Sequence, residues 1–290
     1  MKNLDLSTLP AKKRKQIVSC LRAGIQLLYF LFLPSVFTAA FNGVKYIFTQ
    51  IGQGEKIEMT AFVSALLLVC AFTIVFGRFF CGFACAFGSL GDAMHAIYGI
   101  ICKKRKKKPR RIKPELAKKL ALVKYGILLL IALCCFAGVY QKARGTSPWD
   151  VFSMLHAGNF RLSSYIPGIV LLVLILVGMF FEERFFCRFL CPMGAVFSLL
   201  PILPFFTLHR KRENCIRGCS ACSRKCPANI GLPTDGSWKV EGDCFQCQKC
   251  IDTCPKGNIR CGGKELYGNE ILFTLFRAVF LLTLLLWAGI

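Results

Sequence analysis

Eight cysteines between residues 215 and 255 constrain this chain more than any other feature, because their spacing is that of ligands to iron-sulfur clusters. The run nearer the C-terminus consists of Cys244, Cys247, Cys250 and Cys254, followed by Pro255. Its C-x2-C-x2-C-x3-C-P spacing is that of bacterial ferredoxins. The run nearer the N-terminus consists of Cys215, Cys219, Cys222 and Cys226, followed by Pro227. It differs by one extra residue between its first two cysteines, so the two runs together predict two 4Fe-4S clusters.

The two clusters are expected to exchange one ligand each. In two-cluster ferredoxins the fourth cysteine of a run ligates the cluster of the other run. The first cluster is therefore expected to be held by Cys215, Cys219, Cys222 and Cys254. The second cluster is expected to be held by Cys244, Cys247, Cys250 and Cys226. The alternatives are a disulfide framework and a four-cysteine zinc site, although zinc does not need eight thiols in two runs that end in Cys-Pro.

The composition of the chain is that of a membrane protein. Of its 290 residues 55% are hydrophobic and 27 are phenylalanine, and the mean hydropathy is +0.53, which argues against a soluble globule. The 38 Lys and Arg residues outnumber the 15 Asp and Glu residues, but they lie in blocks beside apolar runs and no base-reading motif accompanies them. Membrane topology therefore explains the charge better than nucleic-acid binding, which is not expected.

Long uncharged runs predict the transmembrane helices, since about 20 apolar residues cross a bilayer. The four runs expected to span the membrane are residues 23–41, 59–76, 121–140 and 165–181. Lys124, near one end of the third run, is expected to extend its ammonium group to the interface. A fifth run, 271–290, contains Arg277 and is predicted to be either a span or an interfacial helix.

These features define a predicted fold class and domain organisation. The chain is expected to be an α-helical integral membrane protein with four or five transmembrane helices, a duplicated two-helix repeat and a small cytoplasmic α+β ferredoxin-like domain. Residues 1–208 are assigned to the transmembrane domain and 209–263 to the ferredoxin-like domain with its two clusters. Residues 264–290 are assigned to a C-terminal transmembrane or interfacial helix.

The basic blocks predict the orientation in the membrane. They lie at residues 12–15, 103–113 and 209–212, and they alternate with the lightly charged loops 42–58 and 141–164. Cytoplasmic loops are rich in Lys and Arg, which places the basic blocks and the ferredoxin-like domain inside the cell. Iron-sulfur ligands and free thiols favour the same reducing compartment. The expected location is the inner, cytoplasmic membrane, crossed several times.

A second pair of cysteine motifs reveals an internal repeat. The segments 78–88 and 184–194 both read R-F-F-C-x-F-x-C-x-x-G, at an offset of 106 residues. Each motif follows two apolar runs, and parallel repeats of this kind are related by an axis along the membrane normal. The two C-x3-C pairs are therefore expected to face each other at the cytoplasmic edge of the membrane.

Together, these pairs predict a third iron-sulfur site. Its four ligands would be Cys81, Cys85, Cys187 and Cys191, a complete set for either a 2Fe-2S or a 4Fe-4S cluster. Arg78 and Arg184, three residues before the first cysteine of each copy, are expected to favour the thiolate form. The alternatives are two independent dithiols, or cysteines that simply pack in an apolar core.

The ensemble of motifs resembles the membrane polyferredoxin family that includes NapH, NosR and CcoG. The resemblance extends from the second apolar run to Pro255. The membrane motif of the family is C-x3-C-P, which Cys187, Cys191 and Pro192 match, whereas Ala86 follows Cys85 in the first copy. A covalent-flavin acceptor motif of some relatives is not evident in this sequence. The resemblance implies an inner-membrane electron carrier that supplies a reductase or the assembly of a metal centre.

The expected function is therefore electron transfer between a cytoplasmic or quinol donor and a redox partner at or across the membrane. The partner is expected to be a reductase, a flavoprotein or a quinone-linked subunit. Two alternatives are direct reduction of a metal ion or small substrate, and a redox-sensing or assembly role. The sequence lacks nucleotide-binding and acyl-transfer motifs, so its chemistry belongs to its cofactors, and no catalytic side chain is assigned.

Overall fold

The computed structural model describes residues 11–107, 109, 111–140, 145–160, 163–203, 208–210, 213–232, 242–261 and 270–289. Its helices are α1 (Ala11–Phe32), α2 (Val36–Gln53), α3 (Ala61–Phe76), α4 (Ala86–Lys104), α5 (Pro114–Leu120), α6 (Val123–Phe136), α7 (Pro148–His156), α8 (Ile166–Phe181), α9 (Pro192–Leu199), α10 (Ala221–Lys225) and α11 (Glu270–Trp287). Two π-helical turns, Phe80–Ala84 and Phe186–Leu190, follow α3 and α8. The chain is thus mostly helical, as predicted.

Length and apolar composition identify two helices that can cross a membrane, at Pro114–Phe136 and Ser163–Phe181. The pair Gln16–Phe32 and Val36–Gln53 adds a third if it forms one bent span, and Ala61–Phe76 and Ile271–Trp287 are shorter apolar helices. The described residues therefore contain two or three candidate spans, and the expected total of four or five stays a prediction.

The prediction of a straight first span at 23–41 followed by a loop at 42–58 was wrong. Helix α1 ends at Phe32 and α2 starts at Val36, with a bend of 61° between them. Pro34 lies at the break, where its ring fixes φ and removes a backbone donor. Helix α2 then continues to Gln53 and ends at Gly54, which has a left-handed φ of 70° and donates its N–H to the last carbonyls of the helix.

A two-stranded antiparallel sheet closes the cysteine-rich segment. Strands β1 (Leu208–Arg210) and β2 (Ile259–Cys261) pair Leu208 with Cys261 and Arg210 with Ile259. The sheet brings the two ends of the segment together, and with α10 it gives a small α+β unit. Outside the described residues lie 1–10, parts of the predicted basic blocks 103–113 and 209–212, parts of the loop 141–164, the stretch 233–241 between the cysteine runs, and 262–269 and 290.

Charged side chains lie inside the apolar core, which the sequence did not predict. Arg78, Arg184 and Arg277 are each at most 1% exposed. Lys124 is also 1% exposed and does not reach the interface as predicted, because its ammonium binds Asp243 and Ser198 in the interior. Buried cations require nearby counter-charges, so the segments around these residues have to supply them.

Candidate metal centre

The two C-x3-C motifs adopt the same local conformation. In each, the N–H of the second cysteine bonds the carbonyl five residues earlier, from Cys85 to Phe80 at 2.8 Å and from Cys191 to Phe186 at 2.9 Å. The second cysteine has extended ψ and is the N-cap of the next helix. Cys191 thus lies in a turn that opens a second helix, where Pro192 is the first helical residue. Ala86 permits the same turn in the first copy without proline.

The structure brings the four motif cysteines together in the core. Cys81, Cys85, Cys187 and Cys191 are each at most 6% exposed. Burial raises the pKa of Cys191 well above its usual value, and the neighbouring thiols of Cys187, Cys81 and Cys85 raise that pKa further. Cys191 therefore lies close to both cysteines of the other copy.

Hydrogen-bond donors and cations lie beside these thiols, but burial still raises the pKa of Cys187 and Cys191 overall. Cys191 Sγ accepts the N–H of Gly194 at 3.2 Å, at the N-terminus of α9. Burial raises the pKa of Cys187 to about 11, while Arg184 and Arg78 oppose that rise. Among the described residues, no three His, Cys, Asp or Glu side chains converge on a point that a single metal ion would occupy. A 4Fe-4S cube binds each cysteine at a different iron corner, so four neighbouring thiols with cations beside them fit a cluster.

Arg184 of the second copy reaches across to the first copy. Its Nε donates to Asp92 Oδ1 at 3.0 Å and its Nη2 donates to the Gly82 carbonyl at 3.0 Å. It also donates to the Cys81 carbonyl. A Cβ at Gly88 would lie 2.5 Å from Arg184 Nη1, so the repeated glycine makes room for this side chain.

Asp92 supplies the negative charge that balances Arg184. Its carboxylate pairs with Arg184 and Arg22 and accepts from Gln26 Nε2 at 2.8 Å. Burial alone would raise the pKa of Asp92, but Arg184, Arg22 and Lys249 hold it well below its usual range. Asp92 is therefore an anion at any physiological pH.

Arg78 of the first copy reaches across to the second copy in the same way. Its Nη1 donates to Ser198 Oγ at 3.4 Å and to Asp243 Oδ1 at 3.1 Å. A Cβ at Gly194 would lie 3.1 Å from Arg78 Nη2. Lys124 also donates to Ser198, at 2.9 Å, and pairs with Asp243. The two motif arginines thus cross over the cysteine site in opposite directions.

The second cysteine run of the ferredoxin-like segment packs directly on this site. Phe245 is 3% exposed and lies between the guanidinium groups of Arg78 and Arg184, at 4.8 and 5.7 Å from its ring centre. A Cβ at Gly82 would lie 2.3 Å from the Phe245 carbonyl oxygen, so only glycine permits this approach. Arg22 donates to the Cys247 carbonyl at 3.4 Å. The two groups of cysteines are therefore neighbours.

Five of the ferredoxin-type cysteines line one cavity. Cys226, Cys244, Cys247 and Cys250 line one cavity together with Cys222. Burial raises the pKa of Cys250 well above its usual value, and the Cys247, Cys244 and Cys226 thiols raise it further. Gln246 and Gln248 have left-handed φ values of 52° and 59°, which fold the C-x2-C-x2-C run so that its thiols turn to one side.

The other four cysteines are less enclosed. Cys215, Cys222 and Cys254 are half-buried and Cys219 is exposed. Asn258 donates its backbone N–H to Cys254 Sγ at 3.4 Å and its side-chain amide to the Asn214 carbonyl at 2.6 Å. It therefore brings Cys254 close to the start of the first run. Arg210 lies 3.6 Å from Cys222 Sγ.

The sequence matches the 4Fe-4S binding domain family over residues 59–109 and 166–207. An uncharacterized protein of Methanocaldococcus jannaschii is 32% identical over 70% of this chain and 71% of its own length. The putative electron transport protein YccM of Escherichia coli is 27% identical over 66% of this chain and 54% of its own length. The ferredoxin-type protein NapH of Haemophilus influenzae is 23% identical over 66% of this chain and 64% of its own length. No solved structure matches.

The two matched ranges contain the two C-x3-C motifs, Cys81 with Cys85 and Cys187 with Cys191. The chain belongs to this family of proteins with a 4Fe-4S binding domain, and the predicted resemblance to NapH is confirmed.

Proposed function

We propose that this protein transfers electrons at a membrane through iron-sulfur centres, between the ferredoxin-like segment and a further centre at the C-x3-C motifs. The observation that carries the proposal is the packing of Phe245 and Cys247 against the site that holds Cys81 and Arg184. Iron-sulfur centres exchange single electrons, so adjacent centres form a path. The relatives named for electron transport and as ferredoxin-type proteins support the same role.

The ferredoxin-like segment is proposed to hold two 4Fe-4S clusters. The grouping of Cys226 with Cys244, Cys247 and Cys250 supports the second cluster with its crossed ligand. The hydrogen bonds of Asn258 support the first cluster, held by Cys215, Cys219, Cys222 and Cys254. When bound, the clusters supply the redox chemistry. The chain orients the ligands and sets the charge around them.

Replacing Cys254 with serine is expected to damage the first cluster although Cys254 belongs to the second run. The crossed ligand predicts loss of up to four of about eight irons in the ferredoxin-like segment, with the cluster at Cys244, Cys247 and Cys250 retained. Iron analysis and the electron paramagnetic resonance (EPR) signals of the reduced protein measure this. Serine at Cys102, a buried cysteine outside every motif, is the matched control. Selective loss of the Cys244 cluster would contradict crossed ligation.

The four C-x3-C thiols are proposed to hold the additional centre, as a 2Fe-2S or a 4Fe-4S cluster. Matching turns, full burial and two cations beside the thiols support this assignment. The chain's own residues orient the ligands, since Gly194 donates to Cys191 Sγ. They also exclude water, because Phe80, Phe83, Phe186 and Phe189 are each at most 2% exposed.

The membrane part is proposed to be the duplicated two-helix repeat expected from sequence. Helix α1 packs on the first π-turn and on α4, while α6 packs on the second π-turn and on α9. Arg22 on α1 and Lys124 on α6 both bind a carboxylate that pairs with a motif arginine. The first helices of the two expected pairs, α1 and α6, then occupy equivalent places, as do the second helices, α3 and α8.

The ferredoxin-like segment is proposed to lie on the cytoplasmic side of the inner membrane. A cysteine introduced at Lys106 is then expected to be protected in intact cells from an impermeant maleimide, whereas one at Phe160 should be labelled. Both positions are exposed, Phe160 at 76%, so protection reports sidedness and not burial. Labelling is measured above that of the parent protein, which has an exposed Cys20. The reverse pattern would invert the topology.

A further inference from the structure

One residue breaks the symmetry between the two copies of the cysteine site. The offset of 106 residues that relates Arg78 to Arg184 also relates Asp92 to Ser198. Arg184 binds Asp92, and Arg78 binds Ser198. The second copy therefore has a neutral hydroxyl at the position where the first copy has the carboxylate that balances its crossing arginine.

The missing carboxylate comes from the ferredoxin-like segment. Asp243 directly precedes Cys244, and its Oδ1 accepts from Arg78 at 3.1 Å and from Ser198 Oγ at 3.0 Å. Lys124 pairs with the same oxygen, as Arg22 pairs with Asp92. Each motif arginine thus shares one carboxylate with at least one further cation. In the second copy, however, the carboxylate belongs to the segment that carries the cluster ligands.

We propose that Asp243 is a positioning residue that completes the charge balance of the membrane cysteine site and fixes the second ferredoxin cluster against it. The side chains of Arg78 and Lys124 are 0% and 1% exposed, whereas that of Asp243 is 41% exposed, so among the described residues a carboxylate at the edge of the core pairs with both buried cations. Two residues later, Phe245 packs between both motif arginines. Residues 243 to 245 therefore join the two groups of cysteines through an ion pair and an aromatic contact.

The role of Asp243 can be tested by moving its carboxylate from position 243 to position 198. Asp243→Asn removes the half-exposed carboxylate that pairs with the buried Arg78 and Lys124, which is unfavourable. Amide hydrogen exchange of residues 244–247 is expected to rise at least about tenfold. Adding Ser198→Asp restores a carboxylate at the place where the first copy has its own, within reach of Lys124 Nζ at 2.9 Å from the present Oγ. The double variant is expected to return to within about threefold of the parent rate.

Two controls isolate the role of the charge. Glu213→Gln removes an exposed carboxylate of the same segment, and Asp243→Glu keeps the charge, so both should exchange like the parent. If Asp243→Asn does not fold, recovery of folding in the double variant supports the proposal equally. Unchanged exchange in Asp243→Asn would overturn it. The proposal would also be overturned if Ser198→Asp did not correct the increased exchange or the misfolding of Asp243→Asn. That result would indicate a structural defect unrelated to charge.

The midpoint potentials of the clusters show whether the Asp243 ion pair also affects the redox centres, and this test rests on the proposed function. Loss of the ion pair should shift the midpoint potential of the cluster at Cys244, Cys247 and Cys250, and the double variant should shift it back. The cluster at Cys215, Cys219 and Cys222 should keep its potential. Equal shifts of both clusters would contradict a local effect of Asp243. Hydrogen exchange does not depend on a centre at the C-x3-C motifs, so it stands even if that centre does not exist.

Discussion

Asp92→Asn is expected to destabilise the protein by about 3 kcal/mol or more, because removing one partner of a buried ion pair leaves an uncompensated charge. The side chains of Asp92 and Arg184 are 11% and 0% exposed. Arg184 then keeps only neutral acceptors, among them the carbonyls of Cys81 and Gly82. The free energy of unfolding in detergent, measured by denaturant titration, checks this value.

The matched control is Glu55→Gln, which removes an exposed carboxylate and should change stability by less than about 0.5 kcal/mol. A destabilisation of Asp92→Asn no larger than that of the control would show that Arg184 does not depend on this carboxylate.

The same carboxylate predicts a dependence of stability on pH. The pKa of Asp92 is lowered in the folded protein, so its contribution is fully present above the unfolded pKa of about 3.9. The contribution is lost as the pH falls below that value. The free energy of unfolding of the parent should therefore decrease in acid. In Asp92→Asn the contribution of this carboxylate to that decrease should be absent.

The sequence singled out the cysteines proposed to carry the chemistry but not the contacts that hold them in place. Ligand spacing is a local property, so the second run and its crossed partner Cys226 were readable, and the structure groups them. The repeat at an offset of 106 also identified Arg78 and Arg184 as relevant. The partners of these arginines could not be predicted in the same way. A repeat relates equivalent residues, and it does not show that each arginine contacts the other copy.

Two signals for those partners were nevertheless present. Asp92 lies four residues after Gly88, the last residue of the first motif, and Asp243 lies beside the first cysteine of the second run. An acidic residue is scarce in a chain with 38 basic and 15 acidic residues, and a buried arginine needs one. The break at Pro34 was also readable from the residue type. It was missed because an uncharged run of sufficient length was taken as one straight helix.

Simultaneous replacement of Cys81, Cys85, Cys187 and Cys191 with serine is expected to remove a whole redox centre. Four thiols from two copies make one complete ligand set, so the variant should lose two irons if the centre is 2Fe-2S and four if it is 4Fe-4S. The roughly eight irons of the ferredoxin-like segment should remain, with their EPR signals. Electron transfer to a membrane partner should stop. A Cys102→Ser, Cys135→Ser variant, which removes two buried cysteines outside the motifs, should keep all its iron.

The iron and acid-labile sulfide content of the purified quadruple variant, compared with that of the parent, is the most direct test of a centre shared by the two copies. We expect the parent to contain about two or four more irons per chain than the variant, with sulfide in proportion. Equal iron and sulfide in the two proteins would contradict the shared centre and leave the four thiols as core residues.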